Sequence, residues 1–116
     1  MIRVKRVYAP YEETDGLRIL VDRLWPRGLT KEKAHVDLWM KEIAPSDSLR
    51  REFHHQSNRW EEFRKRYHRE LAHKGDLVEK IRQIEREKGV VTLLFASRDE
   101  ARNNAVALLQ FLTSPE

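Results

Sequence analysis

Arginines and an aromatic residue are concentrated directly after an apolar run near the amino end of the chain. The segment LRILVDRLWPRG, residues 17–28, begins as a strand-like run and ends with Arg23, Trp25 and Arg27. An apolar run that stops in charged residues is typical of a buried strand whose carboxyl end faces a crevice, and ligands bind in such crevices of open α/β sheets. Guanidinium groups hold phosphate, sulfate and carboxylate groups through paired hydrogen bonds. The segment therefore predicts where an anionic ligand would bind, but it predicts no reaction.

A second polar group follows the most apolar run of the chain, residues 90–96. The sequence Ser97-Arg98-Asp99-Glu100 has the form of a capping box, with Ser97 at the cap, and it predicts that the last helix begins there. The free backbone N–H groups of a helix start attract anions. If the two apolar runs are neighbouring parallel strands, both polar groups lie at one edge of the sheet. The residues that we predict to line a site for a small anion are Arg23, Trp25, Arg27, Lys31, Ser97, Arg98 and Asn104.

The same arginines have a purely structural alternative. In that interpretation Arg23 and Arg27 pair with Asp22, Asp99 or Glu100 and only tie the sheet to its helices. Asn104 is a poor helix former inside the last predicted helix, and we expect it either to point into the crevice or to face solvent.

Catalytic and metal-binding arrangements are weak in this sequence. There is no cysteine, so thiol nucleophiles and thiolate metal sites are excluded. His54 and His55 are adjacent, while His68 and His73 differ by five positions, and neither spacing places two ligands on one helix face. We therefore predict no metal and no cofactor. No nucleophile stands beside a base, which leaves open whether the protein is an enzyme.

The periodicity of apolar residues predicts strands over residues 2–8, 17–24 and 90–96. Helices are predicted over residues 30–43, from Ser46 or Asp47, from Ser57, over residues 77–88, and from Ser97. Two continuous apolar strands separated by helices indicate an α/β fold, with a small, mainly parallel sheet of about three strands flanked by helices. The orientation of the first strand stays open, because its connection to the second is short for a parallel crossover.

Size and composition limit the classes of protein. We expect 116 residues to form a single α/β domain, residues 1–116. No apolar run approaches the roughly 20 residues that span a bilayer, so we predict a cytoplasmic protein with no membrane association. Charged residues make up 36% of the chain but leave a net charge of only +4, so nucleic acid is not the predicted partner.

The alternative function is a non-catalytic module that binds nucleic acid or protein through the basic helix residues Arg64, Lys65, Arg66 and Arg69. Oligomeric state is not predicted.

Several motifs resemble one bacterial and archaeal family. They are VDRLWPRG at residues 21–28, Trp39 followed by Ala44-Pro45-Ser46, the set Phe63, Tyr67, Glu70 and Leu71, and TLLFASRDEARNNAVAL at residues 92–108. The chain is similar over nearly its whole length to the domain-of-unknown-function 488 family, in its YeaO-like branch. The resemblance implies an α/β fold and brings no established activity.

Another branch of that family carries a cysteine at the end of the final strand and a Cys-His-Arg group after it. Here Phe95 and Asn103-Asn104-Ala105 stand at those positions, which puts any thiol or metal role of that branch in doubt.

Overall fold

One parallel β-sheet organises the structure. The computed structural model describes residues 1–53 and 57–114. Within them, four strands pair in the order β1-β4-β2-β3, where β1 is Ile2–Arg6, β2 is Leu17–Leu20, β3 is Leu38–Trp39 and β4 is Val91–Phe95. Every pairing is parallel. The predicted α/β class and the parallel pairing of the second strand with the last are confirmed, and the described sheet gains one short edge strand.

Helices cover the sheet and connect its strands. In the described part of the chain they are α1 (Lys31–Ala34), α2 (Asp47–Glu52), α3 (Trp60–Ala72), α4 (Gly75–Lys88) and α5 (Asn104–Thr113). The Ser46 hydroxyl caps α2 by accepting a hydrogen bond from the backbone N–H of Leu49, which decides between the two predicted caps, Ser46 and Asp47. No helix among the described residues combines the length and apolar character needed to cross a membrane.

Successive residues of the central strands point to opposite faces of the sheet, and both faces are buried. Ile19 and Leu93 belong to the larger core cluster, which includes residues of α2, α3, α4 and α5. Leu20 and Leu94 belong to a smaller cluster on the other face, together with Val7. The continuous apolar runs in the sequence follow from this burial on two sides.

The smaller face also holds a buried polar cluster that the sequence analysis did not identify. Arg18 is 1% exposed, and its guanidinium pairs with the buried Asp15 carboxylate. It also donates to the backbone oxygens of Ala34 and His35, at 3.0 and 2.9 Å. Lys5 Nζ lies 3.0 Å from the same Asp15 carboxylate. The connection between β1 and β2 therefore packs on the sheet through paired charges at Asp15 as well as through the apolar side chain of Val7.

The first strand, whose orientation the sequence left open, is parallel to β4. The connection over residues 7–16 must return along the strand and pass β4 before β2 begins. Ten residues in an extended form reach about 33 Å, which exceeds the strand length plus two strand spacings of about 5 Å each. An α-helix is therefore not needed in this crossover, which contains only the short 3-10 helix Glu13–Asp15.

The predicted helix over residues 30–43 is wrong. Thr30 caps a helix as expected, but α1 ends after four residues because His35 adopts a left-handed conformation, with φ of 51°. The chain then forms β3 beside β2. Val36 packs against the smaller cluster, whereas Met40 and Ile43 lie in the larger one. Their spacing matches one helix face, yet the side chains lie on opposite sides of the sheet.

Two further element boundaries are corrected. The second strand ends at Leu20 rather than at residue 24. The last helix begins at Asn104 rather than at Ser97, and Asn103 is its cap, since its side-chain oxygen accepts from the N–H of Val106 at 2.9 Å. Ser97 and Asp99 hold the preceding turn instead: the Ser97 hydroxyl accepts from the N–H of Asp99. Because the helix begins later than predicted, Asn103 lies at its cap and not within it.

Candidate functional site

A cleft of about 840 Å³ lies at the carboxyl ends of β2 and β4. This edge of a parallel sheet is where ligands bind in open α/β folds. One wall is the segment after β2, residues 22–27, and the floor is the segment after β4, residues 96–104. A further wall comes from residues of α2 and α3 and from residues next to them, including Phe53, Trp60 and Phe63.

Six of the seven residues predicted for the site line this cleft: Arg23, Trp25, Arg27, Ser97, Arg98 and Asn104. The seventh, Lys31, is exposed at the start of α1 and is not brought to the cleft with the others. The cleft therefore assembles two segments that are about 70 residues apart in sequence, because the parallel pairing of β2 and β4 places both strand ends together.

The segment after β2 is fixed by three hydrogen bonds to backbone oxygens. Trp25 Nε1 donates to the Leu29 oxygen at 2.7 Å, and Trp39 Nε1 donates to the Asp22 oxygen at 2.8 Å. The Tyr8 hydroxyl donates to the Arg27 oxygen at 2.7 Å. The Trp25 indole also meets Trp39 edge to face, with ring centroids 5.4 Å apart. The wall that presents Arg27 is therefore held in place before any ligand arrives.

Asp22 joins the two strand ends, a role that sequence reasoning missed. Its carboxylate accepts hydrogen bonds from the backbone N–H of Ala96 at 2.9 Å and from the Asn104 amide at 3.1 Å. The same Asn104 nitrogen donates to the Val21 oxygen at 3.0 Å. Burial raises the pKa of Asp22, and these two hydrogen bonds oppose that rise. The sequence does show an aspartate directly after an apolar run, but it does not indicate which groups the carboxylate contacts.

The arginines of the cleft divide into two groups. Arg23 is engaged with protein: its guanidinium faces the oxygens of Ala44 and Pro45 at 3.3 and 3.4 Å and lies 3.8 Å from the Asp47 carboxylate. In contrast, the guanidinium groups of Arg27 and Arg98 have no hydrogen bond or ion pair within residues 1–53 and 57–114. Both side chains are exposed at the cleft.

Positive charge dominates the described lining of the cleft. Five arginines (23, 27, 50, 98 and 102) line it against two aspartates, Asp22 and Asp99. Hydrogen bonds from the backbone N–H groups of Arg102 and Ala101 lower the pKa of Asp99, and its carboxylate also accepts from the Arg102 side chain at 3.2 Å. The excess of positive charge is suited to an anion rather than to a metal cation.

The basic surface of α3 is largely neutralised by neighbouring glutamates. Arg64 pairs with Glu61 at 2.7 Å, and Arg66 pairs with Glu52 at 2.8 Å. This surface therefore offers less free positive charge than its sequence indicates. The remaining basic residues on that helix, Lys65 and Arg69, are exposed.

Among the described residues, no group of three histidine or acidic side chains is placed to hold a metal ion. His68 is used within the fold, since its Nε2 lies 2.7 Å from the Ala107 oxygen, and His73 is exposed at the end of α3. His54 and His55 lie outside the described residues.

Comparison with known proteins gives a family and no activity. Residues 1–115 match the family model described as "Inactive DUF488-N3 subclade". The chain is 42% identical over 113 residues to the uncharacterised protein YeaO of Escherichia coli K12, covering 97% of both chains. It is 43% identical over 111 residues to an uncharacterised protein of Mycobacterium tuberculosis H37Rv, covering 96% of this chain and 92% of the other. An uncharacterised Mycobacterium bovis protein matches to the same extent. No solved structure matches.

Proposed function

The chain belongs to the inactive DUF488-N3 subclade, and from that premise we propose that it is a binding protein for a small anionic ligand, held in the cleft at the carboxyl ends of β2 and β4. The observation that carries this proposal is the pair Arg27 and Arg98. Two exposed guanidinium groups line one cleft, and neither has a partner among the described residues. Arginine binds phosphate, sulfate and carboxylate groups with paired, charge-assisted hydrogen bonds.

Binding without catalysis agrees with the residues at the family positions discussed above. Phe95 is buried in the core at 1% exposure. The Asn103 side chain caps α5, and the Asn104 amide ties α5 to Asp22 and Val21. Each of these side chains has a structural task, and none is a nucleophile. The word "inactive" in the family description is consistent with this arrangement.

The test is thermal unfolding of the protein with phosphate, pyrophosphate, sulfate or citrate. A ligand at a hundred times its Kd adds about 2.7 kcal/mol of stability, so the melting temperature of the wild type should rise with at least one of these anions. Arg27→Ala and Arg98→Ala should each weaken that rise. Arg27→Ala should lower the melting temperature of the free protein little, since the side chain has no partner to lose among residues 1–53 and 57–114.

The matched control is Arg86→Ala. Arg86 is an exposed arginine that pairs with Glu79 on α4 and does not line the cleft. This variant should respond to anions as the wild type does. The proposal fails if no anion stabilises the wild type, or if Arg27→Ala and Arg98→Ala respond fully. A loss of several kcal/mol in the free Arg27→Ala protein would mark Arg27 as a structural tie instead.

A further inference from the structure

Several aromatic side chains line the cleft that also holds Arg27 and Arg98. Phe53, Trp60 and Phe63 form one wall. The Trp60 and Phe63 rings stack with centroids 5.8 Å apart and an angle of 26°, and Phe63 meets Phe53 edge to face at 5.9 Å. Trp25 stands in the wall after β2. Trp25, Trp60 and Phe63 are only partly buried, so aromatic surface remains accessible inside the cleft.

We infer that the ligand of this cleft is a mononucleotide-like molecule, which combines a planar ring with a phosphate group. This inference rests on the proposed function and names the ligand class. Arg27 and Arg98 supply phosphate recognition, and the partly buried aromatic rings supply surfaces on which a heterocycle stacks. The combination of the two features favours this ligand class. A site for a bare anion does not require accessible aromatic rings, and a site for an apolar ligand does not require guanidinium groups.

A mononucleotide fits better than a nucleic-acid strand for two reasons. The cleft volume of about 840 Å³ lies within the range of roughly 300–1,000 Å³ that is usual for small-molecule sites. A strand also needs a track of free positive charge beyond the pocket. On α3, which forms one wall, Arg64 and Arg66 are instead paired with glutamates.

Three ligands that differ by one part each test the inference in the wild-type protein. They are AMP, ribose 5-phosphate (the same phosphate without the ring) and adenosine (the same ring without the phosphate). Binding is measured by isothermal titration calorimetry at about 150 mM salt, where exposed charges are well screened. AMP should bind at least about tenfold more tightly than either of the others, because stacking of a base on aromatic side chains contributes about 1–3 kcal/mol.

Variants then separate the two halves of the site. Trp60→Leu should reduce AMP affinity towards that of ribose 5-phosphate, while leaving ribose 5-phosphate binding unchanged. Arg27→Ala should weaken both phosphates. The control is Tyr11→Leu, which removes a ring that is 46% exposed, stacks on His35 and does not line the cleft. It should bind AMP as the wild type does.

The outcomes distinguish this inference from the proposed function. Equal binding of ribose 5-phosphate and AMP, lost in Arg27→Ala, would overturn the nucleotide and leave the anion site standing. No binding of either phosphate, together with no stabilisation by the simple anions, would overturn both. A single-stranded octanucleotide that binds at least about a hundredfold more tightly than AMP at the same salt concentration would assign the cleft to nucleic acid instead. The wild-type comparison decides the matter even if Trp60→Leu does not fold.

Discussion

Gly16 is the position where a single methyl group should damage this fold most. It immediately precedes β2, and its backbone has φ of 67° and ψ of −143°, a combination that essentially only glycine adopts. A Cβ atom placed there would lie 2.2 Å from the oxygen and 2.7 Å from the carbonyl carbon of Val90. That oxygen accepts the hydrogen bond from Leu17 N–H, at 3.0 Å, that begins the pairing of β2 with β4. Gly16→Ala therefore strains the backbone and pushes the two central strands apart.

The expected cost has two parts that can be separated. Holding alanine in this conformation costs about 1–3 kcal/mol. Relieving the collision with the Val90 backbone costs about another 1–3 kcal/mol, the usual scale for overpacking. The total loss of about 2–6 kcal/mol is a large part of the 5–15 kcal/mol that stabilises a typical domain.

Two other glycines provide matched controls for these parts. Gly89, at the end of α4, has φ of 85° but nothing within 4 Å of its Cβ position, so Gly89→Ala should cost only the conformational strain of about 1–3 kcal/mol. Gly75, the first residue of α4, has neither a positive φ nor a close neighbour. Gly75→Ala should stabilise the protein by about 0.4–1 kcal/mol, because alanine restricts the unfolded chain.

The assay is urea denaturation followed by far-ultraviolet circular dichroism. With a slope of about 1–3 kcal/mol per molar urea, a loss of 3 kcal/mol lowers the midpoint by about 1–3 M. From the highest to the lowest urea midpoint, the order should be Gly75→Ala, wild type, Gly89→Ala and Gly16→Ala. If Gly16→Ala and Gly89→Ala lose the same free energy of unfolding, the close approach to Val90 relaxes without cost and the reasoning is refuted.

Three further predictions concern stability. Arg18→Met should cost about 3–5 kcal/mol in urea denaturation, since it leaves the Asp15 carboxylate buried with one cation fewer. Arg86→Met breaks an exposed ion pair and should cost much less, because solvent screens such pairs. Equal losses in the two variants would contradict the stabilising role of the buried pair. Asn103→Ala removes the cap of α5 and should lower the free energy of unfolding by about 0.5–2 kcal/mol, and a neutral result would contradict the assigned helix start. Burial raises the pKa of Asp22 above its usual 3.8, so the folded protein holds this proton more firmly than the unfolded chain. The stability contributed by this group is therefore present below 3.8 and lost as pH rises through the raised pKa. The free energy of unfolding of the wild type minus that of Asp22→Asn should therefore fall as the pH rises above about 4, and a difference that rises or stays constant would contradict this assignment.

Where the candidate site lies could be predicted, but how its residues are used could not. The apolar runs before Asp22 and before Ala96 indicated two buried strands, and the parallel rule placed their carboxyl ends together. Six of the seven predicted residues line the resulting cleft. The sequence did not distinguish Arg23, which contacts backbone oxygens near α2, from Arg27, which has no partner among the described residues. That distinction depends on residues more than 15 positions away.

The sequence by itself determined the elements whose signal is local. The strand at residues 91–95, the cap of α2 at Ser46 and the end of α4 at Gly89 each follow from a few consecutive residues. Tertiary structure decided the elements that depend on contacts with segments distant in sequence. The spacing of Val36, Met40 and Ile43 predicts a helix face, but the sheet offers an edge beside β2 that the isolated segment lacks. The segment forms a strand and not an amphipathic helix because it gains hydrogen bonds to β2 and buries side chains on both faces of the sheet. The free energy of burial depends on the apolar area that is covered and not on the spacing of apolar residues in the sequence.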